Sequence, residues 1–130
     1  VLVMVDDCGS RHKGSGETAL EELAKDPELD ILGIVAVASD TSKVQGVPVE
    51  FSISREGKLV SAPVDKDGNP EPEGHFKLEG DTVDVINHLK VPVIVGLGDL
   101  GKMDDADLVE EGAKITTQAV EEILKRSNYY

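Results

Sequence analysis

The chain has 130 residues, and its content of 39% hydrophobic and 30% charged residues is typical of one folded domain and not of a disordered segment. Its 26 acidic and 13 basic residues give a formal net charge of -13, which disfavours nucleic acid and anionic lipid as direct partners. The single cysteine, Cys8, excludes an intramolecular disulfide and is predicted to be a buried, inert thiol.

Three continuous apolar runs predict strands that are buried on both faces. They are Val1–Val5, Ile31–Ala38 and Val91–Val95, and such runs favour parallel strands covered by helices. Between the first two, leucines at helical spacing predict a helix over Glu17–Lys25, which Pro27 follows. Because the chain opens inside an apolar run, we expect its natural start to lie upstream.

The middle of the chain is predicted to form a β-hairpin and a loop. Apolar and polar residues alternate over Val49–Ile53, which indicates a strand with one side facing solvent. Glu56–Gly57 can turn the chain, so we expect an antiparallel hairpin from Val49 to Val64. The next stretch, Asp65–Gly74, is rich in Asp, Gly and Pro and predicts a surface loop.

Two more helices are predicted in the second half. Asp81 can cap the first of them, and its inward face is formed by Thr82, Val85, Ile86 and Leu89. The inward face of the C-terminal helix is formed by Ile115, Ala119, Val120, Ile123 and Leu124. Its last turn has Lys125 and Arg126, whose charges favour a helix C-terminus.

These elements predict one α/β domain over residues 1–130. We expect a three-layer fold, in which an open sheet of three parallel strands is extended by the antiparallel hairpin and has helices on both faces. The longest apolar run is far shorter than the ~20 residues of a membrane-spanning helix. Any membrane association is therefore expected to be peripheral.

In such sheets, ligands bind beyond the carboxyl ends of the parallel strands. The residues that the sequence places at this edge are Asp6, Asp7, Asp40, Gly98, Asp99, Gly101 and Lys102. Their carboxylates could bind Mg²⁺ or Ca²⁺. The alternative is that each Asp caps a helix or closes a turn, as Asp often does. The sequence leaves the metal open and predicts no cofactor.

A second candidate site precedes the first helix, where free backbone amides can bind an anion. It consists of Arg11, His12, Lys13, Gly14 and Gly16. The segment is not a phosphate-binding loop of the nucleotide triphosphatases, because Ser15 and Gly16 stand where Lys and Ser or Thr are required. The alternative interpretation is a loop that leads into a helix.

Other patterns fail at required positions. The glycines at 96, 98 and 101 match the dinucleotide pattern GxGxxG, but neither the long helix nor the acidic residue that must follow is present. Asp65 begins an imitation of a calcium loop in which Pro70 and Phe76 replace the required Gly and Glu. No nucleophile and base are placed together by the sequence, so we do not predict an enzyme.

Several stretches together resemble the soluble form of stage V sporulation protein AE, a family from the operon that moves dipicolinic acid in endospore-forming bacteria. They are VLVMVDDCG, GSGETAL, GIVAVASDT, VDKDGNP, LEGDTVDVINHL and the last 40 residues from VPVIVGLGDLGKM onwards. The GDxGKM segment that opens at Gly98 is the most specific of them. The resemblance covers nearly the whole chain.

The resemblance implies a non-enzymatic accessory subunit that works with other subunits of the stage V sporulation complex, peripherally at the spore inner membrane. Family members have a further N-terminal strand and helix that are missing here, so we expect an open sheet edge. Such an edge predicts a homodimer formed through an edge strand or helix. The competing hypothesis is a small metal-dependent or phosphate-binding enzyme that uses Asp6, Asp7, Asp40 and Asp99.

Overall fold

The structure, a computed structural model, describes residues 1–7, 14–39 and 45–127. Within these ranges the α-helices are α1 (Ser15–Lys25) and α2 (Lys114–Arg126), and two 3-10 helices span Val83–His88 and Val109–Glu111. The strands are β1 (Ile34–Val37), β2 (Val47–Pro48), β3 (Phe51–Ile53), β4 (Leu59–Val60), β5 (Lys77–Leu78) and β6 (Ile94–Leu97). No helix in the described ranges has the length and apolar character needed to cross a membrane.

The main sheet has the strand order β1-β6-β3-β4. β6 is parallel to both β1 and β3, with Ile34 opposite Ile94 and Phe51 opposite Val95. β4 pairs antiparallel with β3, and β2 and β5 form a separate antiparallel pair. The predicted α/β class and the antiparallel hairpin are therefore confirmed. Three strands of the main sheet are parallel, but β3 is both the third of them and the first strand of the hairpin.

The identity of one parallel strand was predicted wrongly. Val1–Val5 belongs to no strand, and its first four side chains are exposed. The third parallel strand is instead β3, which is buried along its whole length. Ser52 is 0% exposed, so the polar residue within this strand does not face solvent. A covering layer determines which faces are buried, and alternation in sequence does not reveal that layer.

The main sheet has a hydrophobic cluster on each face because side chains alternate along its strands. One cluster joins the sheet to α2 and contains Phe51, Ile53, Val93, Val95, Leu97, Met103, Ile115, Ala119 and Ile123. The other contains Ala36, Ala38, Val47, Val64, Leu78, Val83, Val85 and Ile86, and Leu20 of α1 packs against it. Helices thus cover both faces, as predicted.

The helix predicted to begin at Asp81 is a 3-10 helix, Val83–His88, and its N-cap position is occupied by the next residue. The residue that precedes it is Thr82, which makes no capping hydrogen bond through its side chain. The segment is fixed by tertiary contacts, because the Asp84 carboxylate accepts the amide hydrogens of Gln45 (2.8 Å) and Gly46 (2.7 Å). The apolar spacing correctly predicted that Val85 and Ile86 are buried, but it missed Val83 and the type of helix, and Thr82 and Leu89 are only partly buried.

Candidate functional site

A cleft of about 470 Å³ lies beside β1, and three of the residues predicted for the ligand site line it: Asp6, Asp99 and Lys102. Ser39 and Asp81 also line this cleft, while β1 supplies an apolar wall. Among the described lining residues, Lys102 is the one base beside three carboxylates. The cleft is thus electrostatically suited to a cation and not to a dianion.

Asp7 does not line this cleft and instead caps α1. Asp7 is only 8% exposed, and its carboxylate accepts the amide hydrogens of Gly16 (2.7 Å) and Glu17 (3.1 Å). Gly14, at the start of the helix, lies so close to Asp7 that a Cβ there would collide with the carboxylate. Backbone amides in the first turn of a helix have no partner within the helix and favour negative charge, and the Asp7 carboxylate accepts from two of them.

At the predicted anion site, the backbone amides therefore bind a carboxylate of the chain itself, that of Asp7. Gly14 and Gly16 were predicted to help bind an anion at this helix N-terminus, and in the structure both lie against the Asp7 carboxylate. An external anion at the Gly16 amide would have to displace this carboxylate. Three basic residues of that site and one carboxylate of the ligand site lie outside the described residues: Arg11, His12, Lys13 and Asp40.

Asp99 forms a local turn at the mouth of the cleft. Its Oδ1 accepts the amide hydrogen of Gly101 (3.1 Å), and its backbone carbonyl accepts that of Lys102 (2.9 Å). The Lys102 ammonium lies 3.5 Å from Oδ2 of Asp99. These contacts explain the three residues as a turn with a partly exposed ion pair, which is the alternative that the sequence left open.

Gly98 allows a close approach of backbone, but the approaching group belongs to the chain itself. A Cβ at position 98 would lie 2.5 Å from the amide nitrogen of Gly68 and 2.7 Å from its Cα. The neighbouring amide of Asp99 donates to the carbonyl of Lys66 at 2.7 Å. The loop of residues 65–69 therefore packs directly on the end of β6. The tight turn of that loop is closed by the Asp65 carboxylate, which accepts from Asp67 (2.9 Å) and Asn69 (3.0 Å).

The sequence did not identify Asp107, whose carboxylate makes more helix-capping contacts than any other described here. Its Oδ1 accepts the amide hydrogens of Ile115 (2.7 Å) and Thr116 (3.0 Å), and its Oδ2 accepts the Thr116 hydroxyl hydrogen (2.6 Å). Nearby, Asp104 pairs with Arg55. The signal that was available is the acidic stretch before the helix, but its spacing from the helix fits no local capping pattern.

Within residues 1–7, 14–39 and 45–127, no group of three or more His, Cys, Asp or Glu side chains is arranged to hold a metal ion. The two carboxylates of the cleft that the sequence predicted, Asp6 and Asp99, are thus placed on one cleft without forming a recognisable metal centre there. The ligand site remains a prediction.

The family model described as Stage V sporulation protein AE1 matches residues 1–127. No curated protein and no solved structure matches the chain significantly. The family match spans both helices, all strands of the main sheet and the cleft, so it concerns the whole fold described above.

Proposed function

We propose, because this chain belongs to the stage V sporulation protein AE1 family, that its role in sporulation is that of an accessory subunit for the movement of dipicolinic acid across the spore inner membrane. In this proposal the subunit catalyses no reaction. It binds membrane-embedded subunits of the stage V complex through its folded surface and is located peripherally at that membrane.

The observation on which this proposal rests is the family match over residues 1–127. The structural contacts of two candidate carboxylates support the proposal of a non-catalytic role. Asp7 caps α1 and Asp99 closes a turn, so both have structural roles that do not require a substrate.

Charge supports attachment through protein and not through lipid. A net charge of -13 repels the anionic headgroups of a membrane surface. The loops that flank membrane-spanning helices are often rich in Lys and Arg, and an acidic subunit is attracted to them. We therefore expect a complex with membrane subunits that weakens as salt concentration rises.

A genetic experiment tests the proposal. We expect deletion of the gene to lower the dipicolinate content of spores or to slow its release on germination, and the unaltered gene to restore both. A second complementing gene combines Asp6→Asn with Asp99→Asn, which alters the cleft but leaves the cap formed by Asp7 intact. Normal content and release in the deletion strain would overturn the proposal.

The double variant also separates the proposal from the competing enzyme hypothesis, which the shared cleft of Asp6 and Asp99 favours. Full rescue by the variant supports the accessory role and rejects catalysis by these carboxylates. Failure to rescue, with the variant folded and present at normal levels, supports the enzyme. Thermal unfolding with Mg²⁺, Ca²⁺, phosphate or dipicolinate adds a direct test, since a ligand at one hundred times its Kd stabilises by about 2.7 kcal/mol.

A further inference from the structure

Two adjacent apolar side chains are exposed on the loop between β6 and α2. Val109 is 82% exposed and Leu108 is 37% exposed, and they lie where the 3-10 helix Val109–Glu111 begins. Phe76, in another loop, is also exposed but stands alone between His75 and Lys77. Neighbouring apolar side chains that remain in water are a feature of contact surfaces. The loop before α2 is therefore a candidate for binding another molecule.

The same loop is strongly acidic. Residues 103–113, which we call the acidic loop, contain no basic residue and five acidic ones: Asp104, Asp105, Asp107, Glu110 and Glu111. Asp104 pairs with Arg55, and Glu111 lies 3.5 Å from the Lys114 ammonium. In the part of the chain that the structure describes, Asp105 and Glu110 have no ion pair. The exposed apolar pair is thus followed directly by a carboxylate whose charge is not compensated.

The acidic loop is attached firmly to the fold beneath it. Met103 is 1% exposed and belongs to the hydrophobic cluster under α2, and Asp107 accepts from the first amides of α2. The amide of Ala113 donates to the carbonyl of Leu108 at 2.8 Å, which closes the 3-10 turn. A surface that is ordered before it binds loses less conformational entropy on binding.

The backbone of the acidic loop also has an unusual conformation. The non-glycine residues with positive φ in the described ranges all lie in it, at Asp104 (48°), Asp105 (62°) and Ala113 (44°). This region is unfavourable for a residue with a Cβ, and most of all for one that is not Asp or Asn. Glycine would adopt the conformation of Ala113 at lower cost. Strained positions of this kind concentrate where function fixes the shape of the backbone.

We propose that Leu108, Val109 and Glu110 form a docking surface for a basic, amphipathic segment of a partner protein. Apolar side chains of that segment cover Leu108 and Val109, and its Lys or Arg side chains pair with the carboxylates of the acidic loop. An uncharged partner would remove Glu110 from water without a compensating contact, and an acidic partner would be repelled. Charge complementarity therefore selects a basic segment.

Two other occupants fit this surface less well. In the described ranges no acidic side chains are grouped to hold a metal ion, and the carboxylates beside Val109 are repelled by anionic lipid. The inference rests on the proposed function only where it assigns the segment to a membrane-embedded subunit, since Lys and Arg are frequent beside membrane-spanning helices.

An NMR titration of the isotope-labelled 130-residue chain tests the inference. The probe is a synthetic amphipathic peptide of Leu and Lys, and its two controls have Glu in place of Lys or Ser in place of Leu. We expect the probe to shift the amide signals of residues 104–113 and of the first turn of α2, with weaker binding as salt rises. Shifts spread over the whole chain, or equal binding of the peptide without Leu, would reveal attraction by net charge alone and overturn the inference.

A pair of variants locates the contact. We expect Val109→Ser combined with Glu110→Gln to raise the Kd for the probe at least about tenfold. The matched control combines Phe76→Ser with Glu73→Gln, which removes an exposed apolar group and one exposed charge from another loop. We expect the control to change the Kd less than about twofold, since it lies outside the contact. All four residues are exposed, so both variants should fold, and equal effects would overturn the inference.

Vesicles of phosphatidylglycerol test the alternative of a lipid surface. We expect the chain not to bind them, whereas binding that Val109→Ser abolishes would show that the surface contacts lipid and that the inference is wrong. The inference and the proposed function fail separately. Normal dipicolinate content and release in the deletion strain would leave the titration result unchanged, and a failed titration would leave the genetic result standing while it overturns the docking surface.

Discussion

Both α-helices begin at a buried aspartate that lies well upstream in sequence. The Asp7 carboxylate accepts the amide hydrogen of Gly16, nine residues further along the chain. The Asp107 carboxylate accepts that of Ile115, eight residues further along. Each aspartate is 8% exposed, and the residues at the N-cap positions, Gly14 and Ala113, make no capping hydrogen bond through a side chain. The same chemical device thus fixes the start of both helices, by satisfying amides that have no partner within the helix.

The helices differ in what they cover. α2 buries Ile115, Ala119 and Ile123 against the main sheet. The buried residues of α1 are Gly16 and Glu17, both beside its own cap. The comparison teaches that a cap sets where a helix starts, while the packing of the helix decides how much of the fold depends on that start.

The largest effect is expected for Asp107→Ala. The substitution removes three hydrogen bonds to a buried carboxylate and leaves two amides at the start of α2 without a partner, at a cost of about 2–3 kcal/mol. Because α2 covers one face of the sheet, we expect a lower midpoint of global urea unfolding. Glu110→Ala replaces an exposed residue of the 3-10 helix between Asp107 and α2, and it should change the free energy of unfolding by no more than about 0.5 kcal/mol. Equal effects of the two would contradict the capping role.

A smaller effect is expected for Asp7→Ala, about 1–2 kcal/mol, because two hydrogen bonds are lost and α1 contributes less to the core. The loss should be local. Amide hydrogen exchange should accelerate in α1 while β6 and α2 remain protected. If α2 loses protection to the same degree, α1 and α2 unfold as one unit and the contrast drawn between them is wrong.

Substitution by Asn should destabilise the protein more at position 7 than at position 107, which reverses the order expected for substitution by Ala. At position 107, Oδ1 accepts both backbone amides, and an Asn amide group in place of Oδ2 can donate to the Thr116 hydroxyl, so all three contacts can persist. At position 7, each oxygen accepts one amide, so an Asn amide group must face an N–H donor.

We therefore expect Asp107→Asn to cost about 1 kcal/mol or less, mainly through the lost charge at the helix N-terminus. Asp7→Asn should cost nearly as much as Asp7→Ala. Chemical unfolding of the four variants under one set of conditions measures this pattern. Equal ratios of the Asn to the Ala effect at both positions would show that charge, and not hydrogen-bond geometry, determines the strength of the caps.

The sequence predicted those parts of the fold that depend on local periodicity. The apolar spacing in α1 and α2 identified both helices, because one face of each must be buried. The runs around β1 and β6 identified two strands, since both faces of these strands are covered. Val1–Val5 has the same composition, but strand formation requires a partner edge, and composition does not specify one.

The site was less predictable because its residues act over long distances in sequence. The rule for the carboxyl edge placed Asp6 and Asp99 on one cleft correctly. It could not reveal that Asp7 turns towards the amides of α1, or that Gly98 accommodates the backbone of Gly68. Both facts depend on which loop packs where. Asp107 was missed for the same reason.

Ser52 is a buried polar residue like the two capping aspartates, but its side chain differs from theirs in its hydrogen bonding. It is 0% exposed, yet its hydroxyl is the one buried side-chain oxygen or nitrogen in the described residues without a hydrogen-bond partner. Its surroundings explain why: it lies opposite Gly96 in the sheet, and Leu78 packs at the same point. The site selects a small side chain, and nothing in the described chain offers the hydroxyl a partner.

The smallest effect, and the one of opposite sign, is therefore expected for Ser52→Ala. Leaving a buried hydroxyl unpaired costs about 1–3 kcal/mol, so its removal should raise the free energy of unfolding, by up to about 1 kcal/mol once the small space left behind is counted. Ser54→Ala is the matched control, since Ser54 is 4% exposed and its hydroxyl accepts the amides of Glu56 and Lys58, each at 3.3 Å. We expect the control to lower stability by about 1 kcal/mol. Urea unfolding of the two variants measures this difference. If Ser52→Ala destabilises as much as Ser54→Ala, the Ser52 hydroxyl has a hydrogen-bond partner such as a bound water, and the contrast with the two capping carboxylates is wrong.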